Sequence, residues 1–159
     1  MSIQYNTLLI KGLIGFTLLF GLNTAINAQL SSSGLQAEPW TNKELLEPAV
    51  LAKTINSAPD EQQPLVLSVG PGAMIKGSID IGAASDPDNL DKLKEVLSSQ
   101  NRDQEIIIYC GCCPFAHCPN IRPAFKLIKD MHFTKAKLLN LEHNIRTDWL
   151  DKGYPTQNE

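Results

Sequence analysis

Hydrophobic and polar positions follow two rhythms along this chain, and the changes of rhythm mark its elements. Leu90, Leu93, Val96 and Leu97 recur at steps of three and four with charges on the opposite face, which predicts an amphipathic helix. Pro64–Val69, closed by Gly70-Pro71-Gly72, is a short apolar run that predicts a buried strand ended by a tight loop. Glu105–Tyr109 is too continuous for a strand with one wet face, so it is predicted at the centre of a sheet covered on both sides. Ser78–Ile81, bounded by Gly77 and Gly82, and Lys137–Leu141 predict two more strands. Asn120 is the predicted N-cap of a helix through Ile121, Phe125, Ile128 and Lys129, with Pro123 in its first turn. Near the start, Thr41 is a candidate cap, and Leu45, Leu46, Val50, Leu51 and Ile55 predict a helical face that Pro48 breaks in two. Asp148–Gly153 predicts a last helical turn stopped by glycine. Strands alternate with helices, so the predicted fold class is α/β, a mainly parallel sheet of about four or five strands flanked by helices. In such a sheet a ligand site is expected where strands end and helices begin.

The first 28 residues follow neither rhythm. They hold one basic residue, Lys11, no acid, and an almost wholly apolar run over Gly12–Ala25. That run is shorter than the roughly 20 residues a bilayer core requires, so residues 1–28 are expected to be a cleaved signal peptide with Ala28 the last residue removed, not a membrane anchor. Ile26 stands where cleavage sites prefer a small side chain. Residues 29–39, rich in Ser, Gly and Gln, are expected to be a flexible linker, and residues 40–159 the folded domain. The expected location is the periplasm of a bacterium or the outside of the cell, with no membrane contact after cleavage.

Composition narrows the partners. The 159 residues carry 14 Lys+Arg against 17 Asp+Glu, a formal charge of -3, so no basic excess is available to neutralise phosphates and nucleic acid is excluded as the main partner. The chain has only four cysteines, yet all fall between Cys110 and Cys118. In an exported protein such thiols meet an oxidising environment.

The segment Tyr109-Cys-Gly-Cys-Cys-Pro-Phe-Ala-His-Cys-Pro-Asn-Ile-Arg122 runs from the end of the predicted central strand to the start of a helix. Backbone N–H groups converge at such a place and favour negative charge, so an inward-facing cysteine there has its thiolate stabilised. Cys110 is the best placed to attack sulfur and hold it as a persulfide, and Arg122 is a candidate for binding an anionic substrate. The plain alternative for Cys110 is a cysteine packed as a small hydrophobe at a strand end.

Residues from about Trp40 to Pro155 resemble a rhodanese-like domain with an extended, cysteine-rich active loop. Gly77-Ser-Ile79 is similar to the family's glycine-led strand start, Ile106-Ile-Ile-Tyr-Cys110 to the strand that carries its active cysteine, and Trp149 with Gly153-Tyr-Pro155 to its closing segment. The resemblance implies a five-stranded parallel sheet between helices, Cys110 as the sulfur-accepting nucleophile, and sulfur transfer as the activity. The expected partners are a small sulfur-containing anion and a thiol acceptor, and no cofactor is expected.

Cys112, Cys113 and Cys118 have two further readings. They either resolve a persulfide on Cys110 or include one structural disulfide, with Cys112 or Cys113 bridged to Cys118, since adjacent cysteines are poor partners. Alternatively Cys110, Cys112, Cys113, Cys118 and His117 supply soft donors for zinc or copper(I) in a non-catalytic module, although the spacing fits no zinc-finger pattern. A thiol-disulfide oxidoreductase is a third and weaker reading; Cys110 and Cys113 do stand at Cys-x-x-Cys spacing, with Cys112 between them. His132 and His143 are read as surface or core histidines, and Trp149 and Tyr154 as neighbours in the core.

Overall fold

The computed structural model describes residues 38–157 apart from 73. The leader expected over 1–28 and most of the linker expected over 29–39 lie outside the described residues. In chain order the elements are β1 (Leu45–Leu46), α1 (Pro48–Ser57), β2 (Leu65–Ser68), β3 (Ile79–Asp80), α2 (Pro87–Ser98), β4 (Ile106–Tyr109), α3 (Ile121–Asp130), β5 (Ala136–Leu139) and α4 (Ile145–Asp148). Short 3-10 turns at Asn42–Glu44, Asp60–Gln62, Phe115–His117 and Leu150–Lys152 join them. Among the described residues no helix is long and apolar enough to cross a membrane.

The five strands form one sheet in the order β1-β5-β4-β2-β3, and every pairing is parallel. This is the α/β architecture that the rhodanese-like resemblance implies. β4 lies at the centre, and its residues alternate between two buried clusters. Ile106, Ile108 and Cys110 pack with Leu93 and Leu97 of α2 and with Ala124, Phe125 and Ile128 of α3. Ile107 and Tyr109 pack on the other face with Leu51, Ala52 and Ile55 of α1 and with Trp149. Both faces are covered, which is why the run 106–109 shows no polar alternation.

The chain start departs from its predicted form. Leu45 and Leu46 do not belong to a helical face: they are a two-residue edge strand paired with Leu138 and Leu139, and they pack into opposite clusters. Pro48 does not break a helix but begins one, since at the first helical position its missing N–H has no partner to lose. Thr41 donates its backbone N–H to the Glu44 carboxylate at 2.8 Å and so opens a 3-10 turn instead of an α-helix.

At the far end, Trp149 is fully buried, donates its Nε1–H to the carbonyl of Pro155 at 2.9 Å and meets the Tyr154 ring at 5.2 Å. The predicted last turn is α4 followed by the 3-10 turn, and Gly153, at φ 65, supplies the left-handed residue that ends it. On the face away from Cys110, the buried Tyr109 hydroxyl accepts the N–H of Met74 at 2.9 Å and of Ile75 at 3.3 Å and contacts Ser78 Oγ at 3.0 Å.

Candidate active site

The successors of β2 and β4 leave on opposite sides, β3 to one and β5 to the other, so a crevice opens between the carboxyl ends of these two neighbours. Gly70, just after β2, and Cys110, just after β4, face each other there. A Cβ on Gly70 would stand 2.4 Å from the Cys110 sulfur, so glycine is what makes room for that atom. Ser68 Oγ donates to the Gly72 carbonyl at 2.8 Å and tightens the turn that carries Gly70.

All four cysteines are free thiols, and their sulfur atoms lie within 4.8 Å of one another. Cys110 and Cys118 are buried, Cys113 is half-buried and Cys112 is exposed. The Cys112 sulfur stands 3.3 Å from that of Cys110 and 3.3 Å from that of Cys113. The disulfide that spacing favours, from Cys112 or Cys113 to Cys118, is not formed.

The electrostatics of the cluster single out one sulfur. The Cys118 thiol donates to Cys110 and outweighs the burial that opposes ionisation. The Asn120 side chain, the backbone N–H of Cys112 and the Cys112 thiol add to it, and the Cys110 pKa is lowered to about 5. Cys118 is pushed up because its proton is held by Cys110, with burial acting in the same direction. Cys112 is pushed up to about 12, first by burial and then by its thiol neighbours. The cluster thus favours the thiolate at Cys110 over those at Cys112 and Cys118.

Asn120 was expected to cap α3, and it does not. Its backbone is helical, at φ -83 and ψ -31, and its side chain makes no cap hydrogen bond. Its Nδ2 instead donates to the Cys110 sulfur at 3.5 Å, while its Oδ1 accepts the N–H of Ser85 at 3.0 Å. A buried amide clamped from one side and aimed at sulfur on the other is a site residue. Sequence reasoning passed over it because Asn before a helix has a common structural use. Gly70 was read only as loop punctuation, since its meeting with Cys110 depends on the pairing of β2 with β4.

Neither Arg122 nor His117 is among the partners of the Cys110 sulfur. The Arg122 guanidinium donates to Glu38 at 2.6 Å and to the Ala116 carbonyl at 2.9 Å, and it covers the Trp40 ring at 5.4 Å. Trp40 in turn meets Phe115 at 6.0 Å. Arg122 thus fastens the cysteine loop, as does the hydrogen bond from the Phe115 N–H to the Leu141 carbonyl at 3.1 Å. His117 is exposed and stands outside the sulfur cluster. His132 is exposed at the end of α3. His143 is also exposed, and its Nδ1 meets Asp148 at 3.0 Å.

No family model and no curated protein matches this chain. Among solved structures, it is similar to the single-domain sulfurtransferase RDL2 of Saccharomyces cerevisiae, at 20% identity and a TM-score of 0.49, over 72% of this chain and 95% of that one.

Proposed function

We propose that this protein is a rhodanese-like sulfurtransferase that accepts sulfane sulfur on Cys110 and passes it to a thiol. The observation that carries the reading is the placement of the Cys110 sulfur at the end of the central strand, with the Asn120 amide and the Cys112 backbone N–H directed at it. Donors so arranged stabilise a thiolate before reaction and the terminal sulfur anion of a persulfide after it. With thiosulfate as donor, the Cys110 thiolate attacks the outer sulfur, the sulfur–sulfur bond breaks and sulfite leaves with the electron pair. An acceptor thiolate then takes the terminal sulfur and frees Cys110 as a thiolate again.

Cys110 is 1% exposed, and its cover includes the exposed side chain of Cys112. Rotation of an exposed side chain is fast, so Cys112 serves as the cover that turns aside to admit the donor. It is also the resolving residue. The Cys112 thiol attacks the inner sulfur of the persulfide as its proton passes to the departing terminal sulfur, a Cys110–Cys112 disulfide forms and hydrosulfide leaves, with the reduction of the sulfane sulfur balancing the oxidation of the two thiols. Arg122 is a positioning residue that holds the loop through Ala116. The compartment is the one expected from the leader, periplasmic or extracellular in a bacterium.

Thiosulfate added to the reduced, metal-free Cys112→Ser chain, in which the persulfide has lost its resolving partner, is expected to give an intact mass higher by one sulfur atom, and cyanide to remove it as thiocyanate. The wild-type chain should instead release hydrosulfide and end as the Cys110–Cys112 disulfide, and Cys110→Ser should abolish both the gain and the release. No gain in Cys112→Ser together with no hydrosulfide from the wild-type chain, or an undiminished gain or release in chains carrying Cys110→Ser, would sink the reading.

A further inference from the structure

We infer that Cys110, Cys112, Cys113 and Cys118 form a tetrahedral site for one zinc ion. Zinc bound to four thiolates at about 2.3 Å sets their sulfurs about 3.8 Å apart. The four sulfurs here stand within 4.8 Å of one another, with two pairs at 3.3 Å, so the spacings straddle the requirement and side-chain rotation suffices to meet it. Nine residues of one loop supply all four ligands, but tertiary structure spreads their origins. Cys110 is held by the end of β4, Cys118 is packed into the core just before α3, and Cys112 and Cys113 close the cluster from the surface side.

A second set of observations points the same way. Thiols are weak hydrogen-bond donors, so mutual contact among four of them is poor compensation for gathering them. The surroundings are instead fitted to thiolates. Asn120 Nδ2 and the Cys112 N–H face Cys110, and the N–H groups of Asn120 and Ile121 face Cys118. Such outer donors spread the charge of metal-bound sulfur and orient it. Asn120 is itself fixed by Ser85, and the glycine at position 70 leaves the space into which the Cys110 sulfur fits. His117 takes no part, because it is exposed and outside the cluster.

The site stands independently of the proposed sulfur transfer, but one consequence rests on that reading. A zinc-bound Cys110 thiolate shares a lone pair with the metal and is a weaker nucleophile, so zinc binding slows sulfur acceptance on this loop.

The test is titration of the reduced, metal-free full chain with cobalt(II) and then zinc(II) under anaerobic conditions. One equivalent of cobalt should produce intense visible bands of tetrahedral sulfur coordination, zinc should displace it, and all four cysteines should resist alkylation in the zinc form. Cys112→Ser and Cys113→Ser, at the exposed side of the cluster, should fold and shift the cobalt bands. Asn120→Ala should weaken zinc binding by about 10-fold or more. Weak octahedral bands, fewer than four protected thiols, or a spectrum unchanged in both serine variants would overturn the site. Thiosulfate then separates the two proposals. Sulfur uptake by the metal-free chain without zinc binding removes the zinc site alone, and zinc binding without sulfur uptake removes the transferase reading alone. Equal rates of sulfur uptake by the zinc-loaded and metal-free chains would refute that slowing.

Discussion

A methyl group at position 70 would sit 2.4 Å from the Cys110 sulfur, too close for that atom to stay where it is, while its 3.4 Å to the Cys110 Cα is ordinary contact. Gly70→Ala should therefore displace the sulfur from the Asn120 amide as well as strain the β2–β4 crevice. The expected cost is about 1–3 kcal/mol in urea unfolding, together with a loss of sulfur uptake that exceeds what the lowered stability explains. Full uptake by a folded Gly70→Ala variant would show that the sulfur's position is not critical. At this scale the cysteines were legible in the sequence, because four thiols within nine residues stand out by chemistry alone. Asn120 and Gly70 were not, since a buried amide and a missing Cβ acquire meaning only from the atom opposite them.

Among the elements, α4 shows how a short helix depends on its polar ends. Asn144 accepts the Thr147 N–H at 3.0 Å, and the Asp148 carboxylate accepts the N–H of His143 at 2.7 Å and of Asn144 at 3.2 Å. Burial pushes the Asp148 carboxyl up, but these donors and the His143 ring outweigh it and hold it below the usual carboxylate range. A carboxyl lowered in the folded state contributes stability above its unfolded pKa of about 3.9, and that contribution fades as pH falls through this value and through the lower folded one. Asp148→Asn should cost about 1 kcal/mol at neutral pH and flatten the acid side of the stability curve below about pH 5. Urea unfolding across a pH series checks this, and parallel curves for the two proteins would contradict it. The predicted helical face over Leu45 and Leu46 failed at this same scale. Two leucines carry no period of their own, and pairing with Leu138 and Leu139 decided their form.

For the molecule as a whole, stability rests on a central strand that contributes to both buried clusters. Ile108 is fully buried between α2 and α3 and pairs with Leu67 and Leu138 across the sheet. Ile108→Ala should cost about 2–5 kcal/mol, read from the urea midpoint with an unchanged slope. A loss well under 1 kcal/mol would mean that the site is not closely packed. Because Cys110 continues the same strand two residues later, the variant also tests how firmly the core holds the sulfur.

The sequence by itself determined the alternation of strands and helices, the central and doubly covered place of residues 106–109, and the crowding of thiols beside them. Those features are local, since burial on two faces imprints a continuous apolar run and a helix imprints its own period. Only the tertiary structure decided the strand order, the edge strand at Leu45–Leu46, the approach of Gly70 to Cys110 and the turning of Asn120 and Arg122 to their partners. These depend on contacts between residues far apart in the chain, and no single segment carries the position of its distant neighbour.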